Sequence, residues 1–465
     1  MSCLFVRDVP KAKVMKAAPL PVILLLISFV CPTEFSLYLA DLRLPPHRVV
    51  LLLLVPVAIY RLATRSDIRV RGFDLCFITF GLWTTWVYGQ HDDGSQGYIF
   101  GGSLALESLG GYLVARAWIR DEAGMRATLR AMMLAIVFAA LVALPETLFG
   151  QIFTHDLLYA LTGYKHPIGL ETRAGFLTRA YGTFDHPIHL GTFCATFFAL
   201  LWFEEKRVSK KASRAAFIGG ATMLGLSSAP LLSIGLQCAM LGWERLTRGI
   251  AQRTPLTLAI IAGLYIGASV VSNRSPANLI ATGMTFDAAT GFYRLQIWEH
   301  GLANVWANPV LGIGLAEWDR PAWMASSTVD TFWLVTAMRG GIPGFLILVC
   351  AILLIGRAVV VRGIKNRDKG IKQLATGWMM SLIAVCLIAC TVHYWNVLNA
   401  FFFFFIGLGG WLADPKKKSA RSAAVARRAQ AHTAPVPAAP AGPFGPYAEG
   451  AAGYGIAVQY RAQGS

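Results

Sequence analysis

The sequence predicts an all-α, polytopic integral membrane protein: a bundle of twelve transmembrane helices with one large loop between late helices. Three observations carry that prediction. Apolar residues make up 55% of the 465 and charged residues only 14%, with a mean hydropathy of +0.53. A soluble domain carries about 25% charged residues, so a water-soluble globular enzyme is excluded. The apolar residues gather into long runs, the clearest being 373–413, 41 residues without Asp, Glu, Lys or Arg. The basic residues, finally, sit in short clumps between those runs, and unevenly on the two sides.

A membrane-crossing helix needs about 20 mostly apolar residues. Taken in order, spans are expected at 18–39, 48–62, 73–89, 98–116, 131–149 and 187–203, then at 214–228, 229–243, 255–273, 332–356, 373–392 and 396–413. The first has a break at Pro32 and lacks a small-residue cleavage site, so it is expected to remain as a helix rather than serve as a signal peptide. The run 373–413 divides at His393–Tyr394–Trp395–Asn396, whose aromatic and polar groups suit a membrane interface. Only 29 uncharged residues separate Arg214 from Glu244, short of two full spans. Basic clusters flank both ends, so a short hairpin is expected, turning at Ser227–Ser228–Ala229–Pro230, where Pro favours a turn.

The charges test this count independently. With the N-terminus inside, 33 of the 42 basic residues fall in cytoplasmic segments. The other nine (Arg43, Arg48, Lys165, Arg173, Arg179, Arg274, Arg294, Arg320 and Arg339) fall outside, the bias that the positive-inside rule requires. The net charge of +17 and pI near 9.7 thus report topology and need no nucleic-acid partner. Both termini are expected on the cytoplasmic side. The eight cysteines lie almost all inside spans and form no CxxC pair, so they read as small apolar residues, with disulfide frameworks and zinc sites not expected.

The expected domains are 1–413, the membrane unit, and 414–465, a cytoplasmic tail. The tail starts Asp414-Pro415-Lys416-Lys417-Lys418 and becomes Ala/Pro/Gly-rich, a composition that cannot bury enough surface to fold. Its basic start suits anionic head groups of the inner leaflet.

Two expected outer segments, 150–186 and 274–331, are far longer than bundle connections, and long ordered loops are commonly functional. The first contains Arg173, Arg179, Asp185 and His186, with His189 just beyond; the second contains Arg294 and ends at Asp330, ahead of Arg339. In Asp185-His186 with His189, the two imidazoles at i, i+3 form a possible metal pair without an evident third ligand, or ordinary polar packing at a helix start. His91-Asp92-Asp93 reads as a solvated turn. Glu107, inside a span, is either an interhelical hydrogen-bond partner or a substrate contact. Phe401–Phe405 circles its helix, for lipid-facing packing or as a groove for a polyprenyl chain.

The combination resembles the superfamily of O-antigen ligases and bacterial surface-polysaccharide polymerases. Ligases of that family carry a His, a small polar residue, nine residues, then GxxG. Here the frame reads Asp330-Thr331, residues 332–340, then Gly341-Ile342-Pro343-Gly344, so the spacing matches and the His does not. Arg294, Trp298 and Pro309-Val310-Leu311-Gly312-Ile313-Gly314 look like the family's R…W…P…GxG stretch. Arg179, Gly182-Thr183-Phe184, His186-Pro187 and Gly191 look like its earlier arginine motif. The resemblance spans roughly residues 20–412. Polymerases of the superfamily often show Asp in place of that His, which favours a polymerase.

What the resemblance implies is a membrane-embedded glycosyltransferase in the bacterial inner membrane. It would perform metal-independent, inverting transfer on the periplasmic face and use no cofactor. The donor would be an oligosaccharide on undecaprenyl diphosphate, and the partners membrane lipids, a chain-length regulator and a flippase. Asp330, Arg294 and Arg179 are the catalytic candidates; Arg173, Arg339 and His186 are the substrate-binding ones. Arginine suits the role because its planar, permanently charged fork pairs with phosphate oxygens. Asp330 is either the group that takes the acceptor's proton or a cap for the helix beginning at Thr331. Ligation to lipid A core or protein, and transport or flipping of the lipid-linked sugar, are the rival readings; no internal repeat of the transporter kind is visible.

Overall fold

Long runs without polar side chains fold as helices in lipid because only an internally bonded backbone escapes the cost of unpaired amides. The computed structural model describes residues 17–39, 42–65, 68–91, 95–164, 169–173, 177–250, 288–324 and 326–414, with scattered positions in 256–269. The expected span 255–273 thus lies largely outside the described residues, as do Asp92, Asp93, Lys165, Arg274 and the tail beyond Asp414. The described helices belong to one compact unit.

In chain order the helices are α1 (Leu20–Val30), α2 (Pro46–Thr64), α3 (Gly72–Gly89), α4 (Gln96–Trp118), α5 (Glu122–Phe149), α6 (Phe153–Thr162) and α7 (Pro187–Thr196). Then come α8 (Phe198–Glu204), α9 (Val208–Met223), α10 (Ser228–Leu246), α11 (Ala288–Ala307), α12 (Phe332–Val359), α13 (Lys369–Ile388) and α14 (Val397–Ala413). Among the described residues, five stretches are long and apolar enough to cross a membrane: α2, α5, α7 running into α8, α12 with the turn after it, and α13. The described residues also form two short antiparallel hairpins: β1 (Leu37–Leu39) with β2 (Leu42–Leu44), and β3 (Thr172–Arg173) with β4 (Leu177–Thr178).

The first expected span is corrected. Its helix stops at Val30, because Pro32 offers no amide to continue it, and the chain enters a turn of 3-10 helix at Thr33–Phe35 and then the β1–β2 hairpin. The α9–α10 hairpin forms, but its turn lies at 224–227, slightly earlier than the sequence suggested. Pro230 falls in the first turn of α10, where a missing amide costs nothing. Within the two long segments, α6 and α11 were not anticipated. In α6 the exposed apolar residues Phe153, Leu157 and Leu161 recur at every fourth position, the stripe of a helix with one apolar face.

The centre of the bundle is α14, every residue of which is buried, with neighbours on α1, α4, α7, α12 and α13. The run Phe401–Phe405 is therefore neither lipid-facing nor a lipid groove. Successive helical residues turn about 100°, so five phenylalanines point all round the axis and are buried only if protein surrounds them. Phe401 meets Phe29 and Phe193, Phe403 meets Phe77 and Phe80, and Phe405 meets Phe197 and Trp378, with ring centroids 4.7–6.1 Å apart. Helix α4 approaches so closely that a Cβ on Gly111 would stand 2.3 Å from the Ala400 carbonyl oxygen. Glu107, fully buried, accepts from Arg48 Nε at 2.7 Å and Asn399 Nδ2 at 3.1 Å and lies 3.2 Å from His47 Nε2. It is a hydrogen-bond hub joining α2, α4 and α14.

Candidate functional site

One cavity, about 280 Å³, collects residues from three segments far apart in sequence. The 171–188 stretch contributes Glu171, Arg173, Arg179, His186 and Ile188; the α9–α10 turn contributes Ser227 and Ser228; α11 and the chain entering α12 contribute Thr290, Arg294 and Asp330. Five of the six site residues expected from the sequence therefore share one space.

The β3–β4 hairpin explains part of this. Its register pairs Thr172 with Thr178 and Arg173 with Leu177, which sets Glu171 opposite Arg179. Cross-strand partners share a face, and Arg179 Nη1 donates to Glu171 Oε2 at 2.5 Å. Arg173 Nη2 lies 3.8 Å from the same oxygen. The loop that follows is held from several directions. Tyr181 and Gly182 amides donate to Glu146 Oε2 at 2.9 and 2.8 Å, and Ala180 N donates to Leu224 O at 3.0 Å. Asp185 accepts from Thr33 Oγ1 at 2.5 Å and Asn396 Nδ2 at 2.9 Å. His186 then caps α7, its Nδ1 accepting from Ile188 N at 3.1 Å.

Two of the arginines lining the cavity each keep one buried nitrogen, Arg179 Nη2 and Arg294 Nε, without a hydrogen-bond partner among the described residues. The rest of the Arg179 guanidinium is used, Nη1 by Glu171 and Nε by Gly225 O at 3.4 Å. Buried donors are almost always paired, so a spare N–H on each of two neighbouring guanidinium groups makes this cavity a candidate place for an anion. Burial pulls the Arg294 pKa down, with Arg179's like charge adding to it and Asp330 opposing. Asp330 is pushed up by burial, although Arg294 and the Thr328 hydroxyl pull the other way. Burial and the neighbouring guanidinium of Arg179 hold His186 down at about 4. Its ring is thus neutral near pH 7, and with Nδ1 accepting, Nε2 carries the proton as a donor. Asp330 does not cap α12: that helix begins with no side-chain cap, and Phe332 N bonds Ala389 O and Val392 O instead, at 3.0 and 3.1 Å.

Arg339 is the exception among the six. It lies on α12 just before Gly341, where the helix breaks with φ 75° and ψ 166°. The break frees carbonyls, and the Pro309–Gly314 loop takes them: Ile313 N bonds Met338 O at 2.9 Å and Gly314 N bonds Arg339 O at 3.1 Å. Ile342 N returns a bond to Pro309 O at 2.8 Å, and Trp83 Nε1 donates to Gly340 O at 2.8 Å. The Arg339 side chain closes this latch by donating to Gly314 O at 2.7 Å. Both glycine motifs are thus one structural device: a Cβ on Gly341 would stand 1.9 Å from Val310 O. His189 packs on Trp395, centroids 3.8 Å apart, and His91 Nε2 lies 3.0 Å from Leu311 O, so neither lines the cavity.

Glu171, Ser227, Ser228 and Thr290 were missed as site residues by the sequence. Nothing in the spacing around Glu171 announces a two-residue hairpin, and the serines read only as a turn. No known family model matches this chain, and no curated protein matches it significantly in sequence.

Proposed function

We propose that the chain is a membrane-embedded glycosyltransferase that polymerises lipid-linked oligosaccharide repeat units into a surface polysaccharide. On this reading the helices make twelve spans with both termini cytoplasmic, and the cavity opens on the outer face of a bacterial inner membrane. The carrying observation is that Arg179 and Arg294, each with one buried nitrogen unpartnered among the described residues, line the same cavity as a carboxyl of raised pKa. That arrangement fits a reaction in which a diphosphate leaves and a hydroxyl loses its proton.

In the step proposed, an acceptor sugar hydroxyl attacks the anomeric carbon of the donor and the bond from that carbon to the diphosphate oxygen breaks. The hydroxyl proton passes to the Asp330 carboxylate. The negative charge developing on the diphosphate is met by Arg179 and Arg294, with Arg173 and the neutral His186 Nε2–H in reach of its other oxygens. Fixed donors of this kind, each worth about 10²–10³ in rate, act without reorganising as charge develops.

Arg179→Ala and Arg294→Ala should abolish long-chain product while the protein still inserts; normal chain lengths in both would overturn the site. Deletion of the gene distinguishes the rivals. A polymerase deletion accumulates single repeat units on the lipid carrier, whereas a ligase deletion accumulates finished chains there.

A further inference from the structure

A second cavity, about 330 Å³, lies between α11 and the irregular segment at 319–321, with His300, Asn304, Asp319 and Arg320 in its lining. That volume is at the lower end of small-ligand pockets, about 300–1,000 Å³. Asn304 is buried and spends its whole amide on the backbone around the cavity. Its Nδ2 donates to His300 O at 2.9 Å and Asp319 O at 2.7 Å, while Oδ1 accepts from Asp319 N at 2.8 Å. The backbone of Asp319 is thus gripped from both sides, and its exposed carboxylate makes no hydrogen bond or ion pair among the described residues. Arg320 is fixed as well, by Glu317 at 2.7 Å, Met324 O at 3.1 Å and the face of Trp318.

An open aromatic ring stands beside these polar groups. Trp323 packs edge-on to His300, centroids 6.3 Å apart, yet remains 60% exposed. Tryptophan is ordinarily well buried, and an open indole next to immobilised polar groups marks a binding surface. A lipid-interface belt would need no polar cavity; here Trp323 packs on His300, which lines a cavity together with Asp319 and Arg320. The chemistry that uses both halves is a sugar, whose C–H face lies on an indole while its hydroxyls pair with carboxylate, imidazole and guanidinium.

We infer that this cavity is a carbohydrate subsite that holds the glycan chain away from the reacting end. Arg294 and Asn304 share α11, ten residues apart, which is about 15 Å along the axis. A chain of a few sugars therefore reaches from the first cavity to the second. The inference rests on the glycan-transfer reading for its ligand class.

The test uses the full-length protein in detergent and, as probe, the surface polysaccharide purified from the host cell. Wild type is expected to bind it, and Trp323→Ala and Asp319→Asn to bind about tenfold more weakly. Trp323→Phe, which keeps a ring, should retain most of the binding. Both sites are exposed, and an unchanged gel-filtration profile shows that the variants fold. In cells the two weak binders should make shorter chains rather than none. No binding by wild type, or equal binding by all variants, overturns the subsite. Arg294→Ala keeps these readouts apart: it should bind the polysaccharide normally while making no chain. If Arg294→Ala still makes normal chains, it is the glycosyltransferase reading that fails, whatever the binding shows.

Discussion

Arg179 and Glu171 face each other across a two-residue hairpin with a guanidinium–carboxylate contact of 2.5 Å, yet the arginine side chain is 3% exposed and the glutamate 52%. The buried member is fixed and the exposed member is free to leave. Burial pulls the Glu171 carboxyl up, but the hydrogen bond and charge of Arg179 outweigh it and hold the pKa below the usual carboxylate value. Glu171 therefore serves Arg179 as an internal counter-ion, which on the proposed function the substrate's diphosphate would displace. Glu171→Gln keeps the shape and removes that competitor. Inorganic pyrophosphate should then bind the purified protein several-fold more tightly, measured by calorimetry at low salt. Weaker binding would mean that Glu171 positions Arg179 instead of competing for it.

Asp330 supplies a pH prediction with a definite sign. Its folded-state pKa is raised by burial, so the folded protein holds this proton more tightly than the unfolded chain. The stability contributed by the protonated form is full below the unfolded value, about 3.9, and is lost as pH rises through the folded one. Asp330→Asn removes that loss, so the variant should melt higher than wild type at pH 7 and equally at pH 3. Its transferase activity should fall by about 10²–10⁴, the usual worth of a general base. Full activity in the variant would leave Asp330 without a chemical role.

The α12 latch separates Arg339, whose side chain bonds Gly314 O, from the arginines that line the cavity. Arg339→Ala removes one hydrogen bond, to Gly314 O, and should cost about 1 kcal/mol with chain synthesis intact. Gly341→Ala is far worse, because its φ of 75° and the Val310 carbonyl leave no room for a Cβ. That variant should fail to accumulate in membranes. Loss of synthesis in a well-folded Arg339→Ala protein would return this residue to the site.

Glu107 predicts a pattern of coupling. Replacing it with Ala leaves Arg48 without its counter-ion, a loss of about 3–5 kcal/mol for a buried pair. Adding Arg48→Met should recover part of that loss, since the uncompensated charge is then gone. Thermal unfolding of the two single variants and the double variant measures the coupling. Additive losses would show that the contacts of Arg48 and Glu107 are independent.

The sequence alone determined the helical class, several of the long apolar helices and the two segments that bring five of the six candidate residues to one cavity. These follow from local quantities: hydropathy summed over a run, and arginines placed in long segments between apolar ones. It even marked Arg179, Arg294 and Asp330 as partners, though 36 positions separate the last two and more than a hundred the first two. Tertiary structure decided whatever depends on what stands beside a residue. Phe401–Phe405 looks alike in sequence whether lipid or protein surrounds it, and only the packing of α1, α3, α7 and α13 made it a core. Arg339 and Arg294 read as equivalent, but a helix break gave one a carbonyl to bind, while burial left the other with an unsatisfied donor. Spacing along a chain does not encode which polar groups find partners; the fold does, by what it packs beside each of them.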